Sequence, residues 1–457
     1  MQPFRYHVMV CTQQKPENVP CCAAGGAAAV LEELRAQLGR QRLTDEVLVS
    51  TTGCLGACEY GPVMIVYPEA IWYGSVQPAD VAEIVSSHLA GGRPVERLAI
   101  KDREALRKEI LEHRRQYAAQ MAARDAMGIL PEDINEPIRG FMPARALLTA
   151  LELDMFSAVG EGSDAAQVAA KLASDLRATE MLLNVLASLE LLTKQDGIFR
   201  NTPATARFFC AGSPDDQRLG MMHQVHLWTR WSELTDCVRT GEPARAGNSG
   251  GALNEQETRA FIAAMDRNAK ERAAQVASTV KGGVAGKGFR RMLDLGGGSA
   301  AYSIAFARVN PELRAEIIDR ETVLPITREY IEGAGMTDRI AVRAGDMRTA
   351  EYGEGFDLVL ISAIAHMFSP QENRELLRRI YKALAPGGKL VLQDFILDPD
   401  KTRPAVGAIF SLNMLVNTEG GASYSEDEYA EWLREAGFRE STRVRLPGPA
   451  NLMIGVK

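Results

Sequence analysis

The sequence predicts a mixed α/β chain of several domains that ends in a parallel, doubly wound sheet. Three observations carry this. An apolar strand, Arg291 to Leu295, turns through Gly296, Gly297 and Gly298 into an alanine-rich helix. Apolar strands recur after it at the spacing of βα units. The chain has 457 residues, 46% of them hydrophobic, which is more than one domain needs and enough for sizeable cores.

The glycine loop reads Asp294-x-Gly296-x-Gly298. Glycines permit the tight turn and let the backbone approach a ligand, and the following helix aims free N–H groups and a positive dipole end at it. No Gly-Lys-Ser/Thr follows, so this is not a phosphate loop. Ala300 stands where a full dinucleotide fingerprint would continue. Glu316 to Asp319 is the next strand, ending in an acid that can take both hydroxyls of a ribose. Ile340 to Met347 follows, then Gly355 to Ser362 with His366, then Leu384 to Asp394. In this order the segment resembles class I S-adenosylmethionine-dependent methyltransferases, and more closely the small-molecule O-methyltransferases. The resemblance implies a Rossmann-like domain over 286–457 that binds S-adenosylmethionine. Gly296 and Gly298 would lie under the methionine part, Asp319 at the ribose, Asp346 and Met347 at the adenine, with Asp294 and Ser362 completing the cofactor set.

Methyl transfer to oxygen is an in-line displacement, helped by a base that removes the hydroxyl proton. A neutral imidazole suits that task near neutral pH. By resemblance His366 is that base, although Met367 and Phe368 stand where plant-type relatives carry Asp-Trp. A structural histidine, with transfer resting on proximity alone, is the alternative. The stretch Phe410 to Asn417 resembles one wall of the family's acceptor pocket. Phe410, Asn413, Met414 and Asn417 are its candidate substrate contacts, with Met265 from a helix before the cofactor domain. Met221 to Trp231 holds His223, His226, Trp228 and Trp231 at helical spacing. That pattern suits an aromatic pocket wall or a packed helix equally. It lacks a third ligand for a metal. The implied acceptor is a small hydroxylated aromatic molecule or a similar one.

Five of the seven cysteines, Cys11, Cys21, Cys22, Cys54 and Cys58, lie near the N-terminus. Such clustering in a chain without a signal peptide points to metal rather than disulfides. Cys54 and Cys58 flank a glycine-bearing turn after the strand Val47 to Ser50, and Cys11 ends the strand Tyr6 to Val10. Cys21 and Cys22 precede a helix, Ala27 to Leu38, whose N-terminus favours thiolates. With Thr52 to Pro62, Val66 to Pro68 and Ile71 to Tyr73, this region resembles the thioredoxin-like [2Fe-2S] ferredoxins. The resemblance implies a domain over 1–95 with Cys11, Cys22, Cys54 and Cys58 as cluster ligands. Cys21 is a substitute for Cys22, and four thiolates also accept zinc. A degenerate domain without metal is the remaining alternative.

Between these parts, 96–139 reads as a charged helical linker centred on Lys101 to Ala126. Residues 140–210 give short apolar helices, Ala146 to Leu153, Ala165 to Leu172 and Ala178 to Leu189. A hairpin of Leu191 to Thr193 and Gly197 to Phe199 follows. This winged-helix order matches the O-methyltransferase family's dimerisation module, implying a homodimer. Residues 211–285 form a helical substrate-pocket region, with a Gly/Ser/Ala-rich loop around Gly247 to Gly251. A net charge of −7 argues against nucleic acid. No apolar run is long enough to cross a bilayer, and Met1 to Val10 lacks a signal-peptide core, so the expected location is cytoplasmic. An iron–sulfur domain on a methyltransferase could transfer electrons, for example to reduce a quinone-like acceptor to its hydroxyl form, dock a redox partner protein, sense redox state, or serve only as structure. The competing function is a redox-sensing binding protein with an inactive methyltransferase fold.

Overall fold

A computed structural model of the chain describes residues 3–15, 19–245, 254–280 and 288–457, without the side chains of residues 132 and 271. The Gly247 to Gly251 loop lies outside the described residues. The chain forms two compact units, Met1–Arg139 and Gly140–Lys457.

The first unit runs β1 (Tyr6–Cys11), α1 (Ala27–Arg40), β2 (Val47–Thr52), β3 (Met64–Tyr67), β4 (Ile71–Tyr73), α2 (Pro78–Glu83), α3 (Arg103–Ala126) and α4 (Glu132–Arg139). Its sheet has the order β2-β1-β3-β4, with β1 and β2 parallel and the other pairs antiparallel. The parallel pair needs a crossover, which α1 supplies. Val30, Leu34 and Leu38 recur at helical spacing on the buried face of α1 and meet Val8, Val10, Met64 and Val66 in one core. Asp102 caps α3 by accepting the Ala105 N–H at 2.9 Å, a contact worth about 1 kcal/mol. The first half of α3 is not solvated all round: Leu106 and Ile110 pack among Cys11, Cys22, Ala57 and Val63.

The second unit opens with α5 (Phe141–Glu152), α6 (Met155–Val159), α7 (Ala165–Leu172) and α8 (Leu176–Ser188). The hairpin β5 (Leu192–Gln195) and β6 (Ile198–Asn201) and helix α9 (Pro203–Phe208) follow. This is the winged-helix order, with Phe156, Leu183 and Phe199 in its core. Then come α10 (Arg218–Trp231), α11 (Leu234–Thr240) and α12 (Glu255–Thr279). The last part alternates β7 (Arg291–Leu295), α13 (Ala301–Val309), β8 (Arg314–Asp319), α14 (Leu324–Gly333), β9 (Ile340–Ala344), β10 (Phe356–Ser362), α15 (Pro370–Ala383) and β11 (Leu384–Asp394). It ends with α16 (Ala405–Asn417), α17 (Glu426–Ala436), β12 (Glu440–Val444) and β13 (Asn451–Val456).

These strands make one sheet of order β12-β13-β11-β10-β7-β8-β9, in which β13 alone runs against its neighbours. Both faces are covered, as a parallel core demands. One face packs Phe289, Phe306 and Leu313 with Ala273 and Val276 of α12, and the other packs Leu376 and Ile380 of α15 with Trp432 of α17. The strand order reverses between β7 and β10. Ligands of such sheets bind at the carboxyl ends of the strands beside that switch point. There the glycine loop leaves β7, Asp319 ends β8, and Ser362 ends β10.

Candidate active site and thiol centre

The turn after β7 has no room to spare beneath it. A Cβ on Gly296 (φ +72°) would sit 2.6 Å from Ile364 Cδ1 and 3.0 Å from Met347 Cε. Three connections, those after β7, β9 and β10, therefore converge on this glycine. Gly298 (φ +55°) is different, since a Cβ there meets only Ile262 Cδ1 at 3.6 Å. Its left-handed backbone borders open space. The buried carboxylate of Asp319 braces the loop, accepting the Gly298 N–H at 2.9 Å and the Arg320 N–H at 2.8 Å. Burial raises its pKa, and those two N–H groups oppose the rise.

The other cofactor candidates divide by placement. Asp294 is fully enclosed and accepts the Ser303 hydroxyl at 2.7 Å. It ties β7 to α13 from beneath the loop. Burial pushes its pKa up to about 7, the Ser303 hydrogen bond works against this, and the Asp319 charge adds to it. Asp346 is exposed and ion-paired with Arg348 at 2.7 Å, which holds its carboxyl below the ordinary value. Met347 turns its side chain towards Gly296, while Arg379 and Tyr352 grip its carbonyl. Ser362 donates to Gln393 Oε1 at 2.5 Å, and Tyr302 donates to the same oxygen at 3.1 Å. Neither Gln393 nor Tyr302 stands out from its strand or helix in the sequence.

His366 lies on a short 3₁₀ turn, Ala365–Met367, just past β10. Asn373 secures the turn by donating to the carbonyls of Ala365 (2.9 Å) and Phe368 (3.0 Å). The imidazole is buried, with Nδ1 2.6 Å from Asp394 Oδ1. The carboxylate also accepts the N–H groups of His366 at 3.1 Å and Phe395 at 2.8 Å. A carboxylate has only lone pairs to offer, so Nδ1 carries a proton, and in the neutral imidazole Nε2 is then the acceptor. Asp394 is 1% exposed and was not singled out from sequence. Its one visible signal is an acid closing an apolar strand. Phe410 stands edge-on to His366 with centroids 4.7 Å apart, and Phe395 stacks on Phe410 at 4.1 Å.

The remaining acceptor-side candidates are engaged elsewhere. Asn413 Oδ1 accepts the Trp231 indole N–H at 2.9 Å, and Asn417 Oδ1 accepts from Arg230 at 2.8 Å. These amides bind α16 to α10. Met414 is buried, and Met265 is half-buried on α12. His223 meets the Phe261 ring edge at 5.3 Å. Burial, followed by the charges of His226, Arg230 and Arg267, lowers its pKa to about 4.

In the first unit the four expected thiols gather at one end of the sheet. Cys11 and Cys22 are buried and share a hydrogen bond that, before all other causes, lowers Cys11 to about 6 and raises Cys22 far above its ordinary value. Cys54 Sγ and Cys58 Sγ lie 3.7 Å apart nearer solvent. Cys58 feels Cys54, and Cys22 feels Cys58, so the four sulfurs form one electrostatic group. Cys21 is also buried, but its sulfur is turned to accept the Ala24 N–H at 3.4 Å. Two thiol pairs, one buried and one nearer solvent, offer the four-thiolate donor set of a two-iron cluster.

Family models match three segments: a thioredoxin-like [2Fe-2S] ferredoxin over 2–88, an O-methyltransferase dimerisation domain over 136–210, and an O-methyltransferase domain over 231–439. The 3-hydroxy-5-methyl-1-naphthoate 3-O-methyltransferase of Streptomyces sahachiroi is 33% identical over 335 residues, covering 72% of this chain and 95% of that protein. The L-tyrosine C(3)-methyltransferase of Streptomyces lavendulae is 31% identical over 330 residues, covering 68% and 88%. A solved structure of PigF with SAH superimposes with a TM-score of 0.66 at 28% identity, covering 72% of this chain and all (100%) of that one. PigF is described as an S-adenosyl-L-methionine-dependent methyl transferase of Serratia sp..

Proposed function

The chain belongs to the S-adenosylmethionine-dependent O-methyltransferase family, and from that premise we propose that it methylates a hydroxyl on an aromatic small molecule. The observation that carries this reading is the buried pair His366–Asp394, 2.6 Å apart beside the stacked rings of Phe395 and Phe410. The open space at Gly298 and the buried carboxylate of Asp319 fit a nucleoside with a charged tail. S-adenosylmethionine, when bound, supplies a methyl group on a sulfonium, open to in-line attack. The chain's own residues do the rest. Gly298 leaves room for the methionine part while Gly296, closely packed on Ile364 and Met347, shapes the turn beneath it; Asp319 takes the ribose hydroxyls, and Asp346 and Met347 border the adenine. Asp294 and Ser362 hold the loop and strand ends in place. His366 Nε2 removes the acceptor's hydroxyl proton. Asp394 keeps Nδ1 protonated and stabilises the resulting imidazolium, the arrangement by which a carboxylate orients a catalytic histidine. Phe410 and Phe395 flank the acceptor ring, and Met265 and Met414 fill the space around it. Asn413 and Asn417 set the wall by fixing α16 on α10.

The thiol centre supports a [2Fe-2S] cluster on Cys11, Cys22, Cys54 and Cys58. Such a cluster carries single electrons, which suits exchange with a redox partner protein or redox sensing. Exposed apolar side chains on the winged-helix domain, Phe141 (52%), Met142 (56%), Leu176 (49%) and Met181 (53%), support a homodimer. Among the described residues no helix is long and apolar enough to cross a membrane. Thiols held for a metal centre suit a cytoplasmic setting, where disulfides are rare.

The test is turnover of S-adenosylmethionine with a panel of hydroxynaphthoic acids and phenols, with products assigned by NMR. A methyl ether supports the reading. A methyl group on ring carbon, the chemistry in the name of the S. lavendulae relative, replaces it. Absence of turnover across the panel counts against a hydroxyaromatic acceptor.

A further inference from the structure

The helix α3 carries Leu106, Ile110 and His113 at helical spacing, so all three share one face. That face is docked on the thiol centre. Leu106 and Ile110 pack among Cys11, Cys22 and Ala57. A Cβ on Gly56, between Cys54 and Cys58, would lie 3.4 Å from Ile110 Cγ2. Glu109 Oε1 accepts the Glu59 N–H at 3.0 Å, fastening the Cys58 turn to the same helix. His113 then reaches over the outer sulfur pair, with a ring nitrogen within 4.8 Å of both Cys54 Sγ and Cys58 Sγ.

Lys15 completes the arrangement. Its Nζ lies 3.1 Å from Cys58 Sγ and 2.7 Å from His113 Nε2. An ammonium only donates, so His113 Nε2 must accept, which leaves the imidazole neutral with its proton on Nδ1. Lys15 is thus held at one ligand sulfur by a second hydrogen bond behind it. Hydrogen bonds and charge at cluster sulfurs set reduction potential, and the groups that aim them matter as much as the ligands. A cation donating to a thiolate stabilises the more negative, reduced state.

We propose that Lys15, positioned by His113 of α3, donates to Cys58 Sγ and raises the reduction potential of the cluster bound there. This rests on the [2Fe-2S] reading given above. Lys15 and His113 are positioning residues, and neither is a ligand. The first half of α3 is therefore part of the redox centre.

The experiment is a redox titration of the full-length protein followed by EPR, with iron and sulfide measured on every variant. Lys15→Met should keep its iron and sulfide and favour the oxidised state on the order of tenfold, about 59 mV lower for one electron. Lys15→Arg should restore most of the potential. His113→Phe should shift it in the same direction by less, because Lys15 keeps its charge but loses its anchor. A loaded Lys15→Met protein with the parental potential overturns the proposal. So does nitrogen hyperfine coupling that disappears in His113→Phe, which would make the imidazole a ligand. A full-length parent protein without iron and sulfide after anaerobic preparation overturns the cluster reading and this proposal together.

Discussion

Asp394 holds His366 at two points, the ring Nδ1 at 2.6 Å and the backbone N–H at 3.1 Å, and is not itself an expected acceptor contact, so replacing it tests orientation apart from proton transfer. Asp394→Asn keeps the shape but offers an amide that can present N–H to Nδ1, favouring the wrong tautomer. We predict a kcat loss of about 10²- to 10⁴-fold for both His366→Ala and Asp394→Asn, with S-adenosylmethionine affinity by calorimetry nearly unchanged. A full-speed His366→Ala enzyme would return the histidine to a packing role. His366 was legible through its place after the fourth strand, where the resemblance to the O-methyltransferases puts a base. Its partner was not, because the two stand 28 residues apart. They meet only through the register of β10 on β11, where Ser362 pairs with Gln393. A second residue-scale prediction concerns Asp294. Its folded pKa of about 7 exceeds the ordinary 3.8. The folded protein therefore resists its ionisation, and stability is lost as pH rises across that interval. Asp294→Asn carries no such penalty. The stability of the variant relative to the parent should grow between about pH 4 and pH 7, on the order of a few kcal/mol in the ligand-free protein. Urea unfolding at both ends of that range checks this.

At the scale of elements, the glycine loop is a backbone device. Its function depends on Gly298 keeping a left-handed φ beside open space. Asparagine tolerates that backbone and would fill the space. Gly298→Asn should leave the melting temperature near the parent's while S-adenosylmethionine affinity falls at least about tenfold, or about 1.4 kcal/mol. Unchanged affinity would remove the loop from the cofactor site. The loop and the βα units after it were readable because strand period, glycine and terminal acid all point the same way there. Helix α3 was not so readable. Its composition is dominated by charge, and Leu106 alone is buried on it. A two-residue apolar contact against a neighbouring turn leaves no periodic signal of the kind a core helix shows. The acceptor wall was half readable. The α16 sequence located the element, but Asn413 and Asn417 turned out to bond Trp231 and Arg230. Those are tertiary partners no local pattern announces. On the winged helix, Met142→Glu with Met181→Glu should convert a two-fold dimer into monomer by light scattering, because buried charge at an apolar interface is costly. A monomeric parent at micromolar concentration would refute the dimer itself.

For the whole molecule, each unit has its own core, one around Val8, Leu34 and Val66 and the others on the two faces of the seven-stranded sheet. Loss of the thiol centre should therefore damage one unit while sparing the other. Cys58→Ala removes one of the four coupled sulfurs, so iron, sulfide and visible colour should fall together. S-adenosylmethionine affinity in the same preparation should stay near the parent's. Cys21→Ala should retain both metal and colour, because Cys22, not Cys21, is the neighbour hydrogen-bonded to Cys11. From sequence the two neighbours were hard to rank, since adjacent positions differ only in which way the backbone turns them. Geometry separates them, and elemental analysis of the two variants tests that separation. If Cys21→Ala loses iron and Cys22→Ala keeps it, the ligand set is Cys11, Cys21, Cys54 and Cys58. Zinc without iron in the parent would leave four thiolates holding a metal that carries no electrons, and the first unit would then be a structural module beside the methyltransferase.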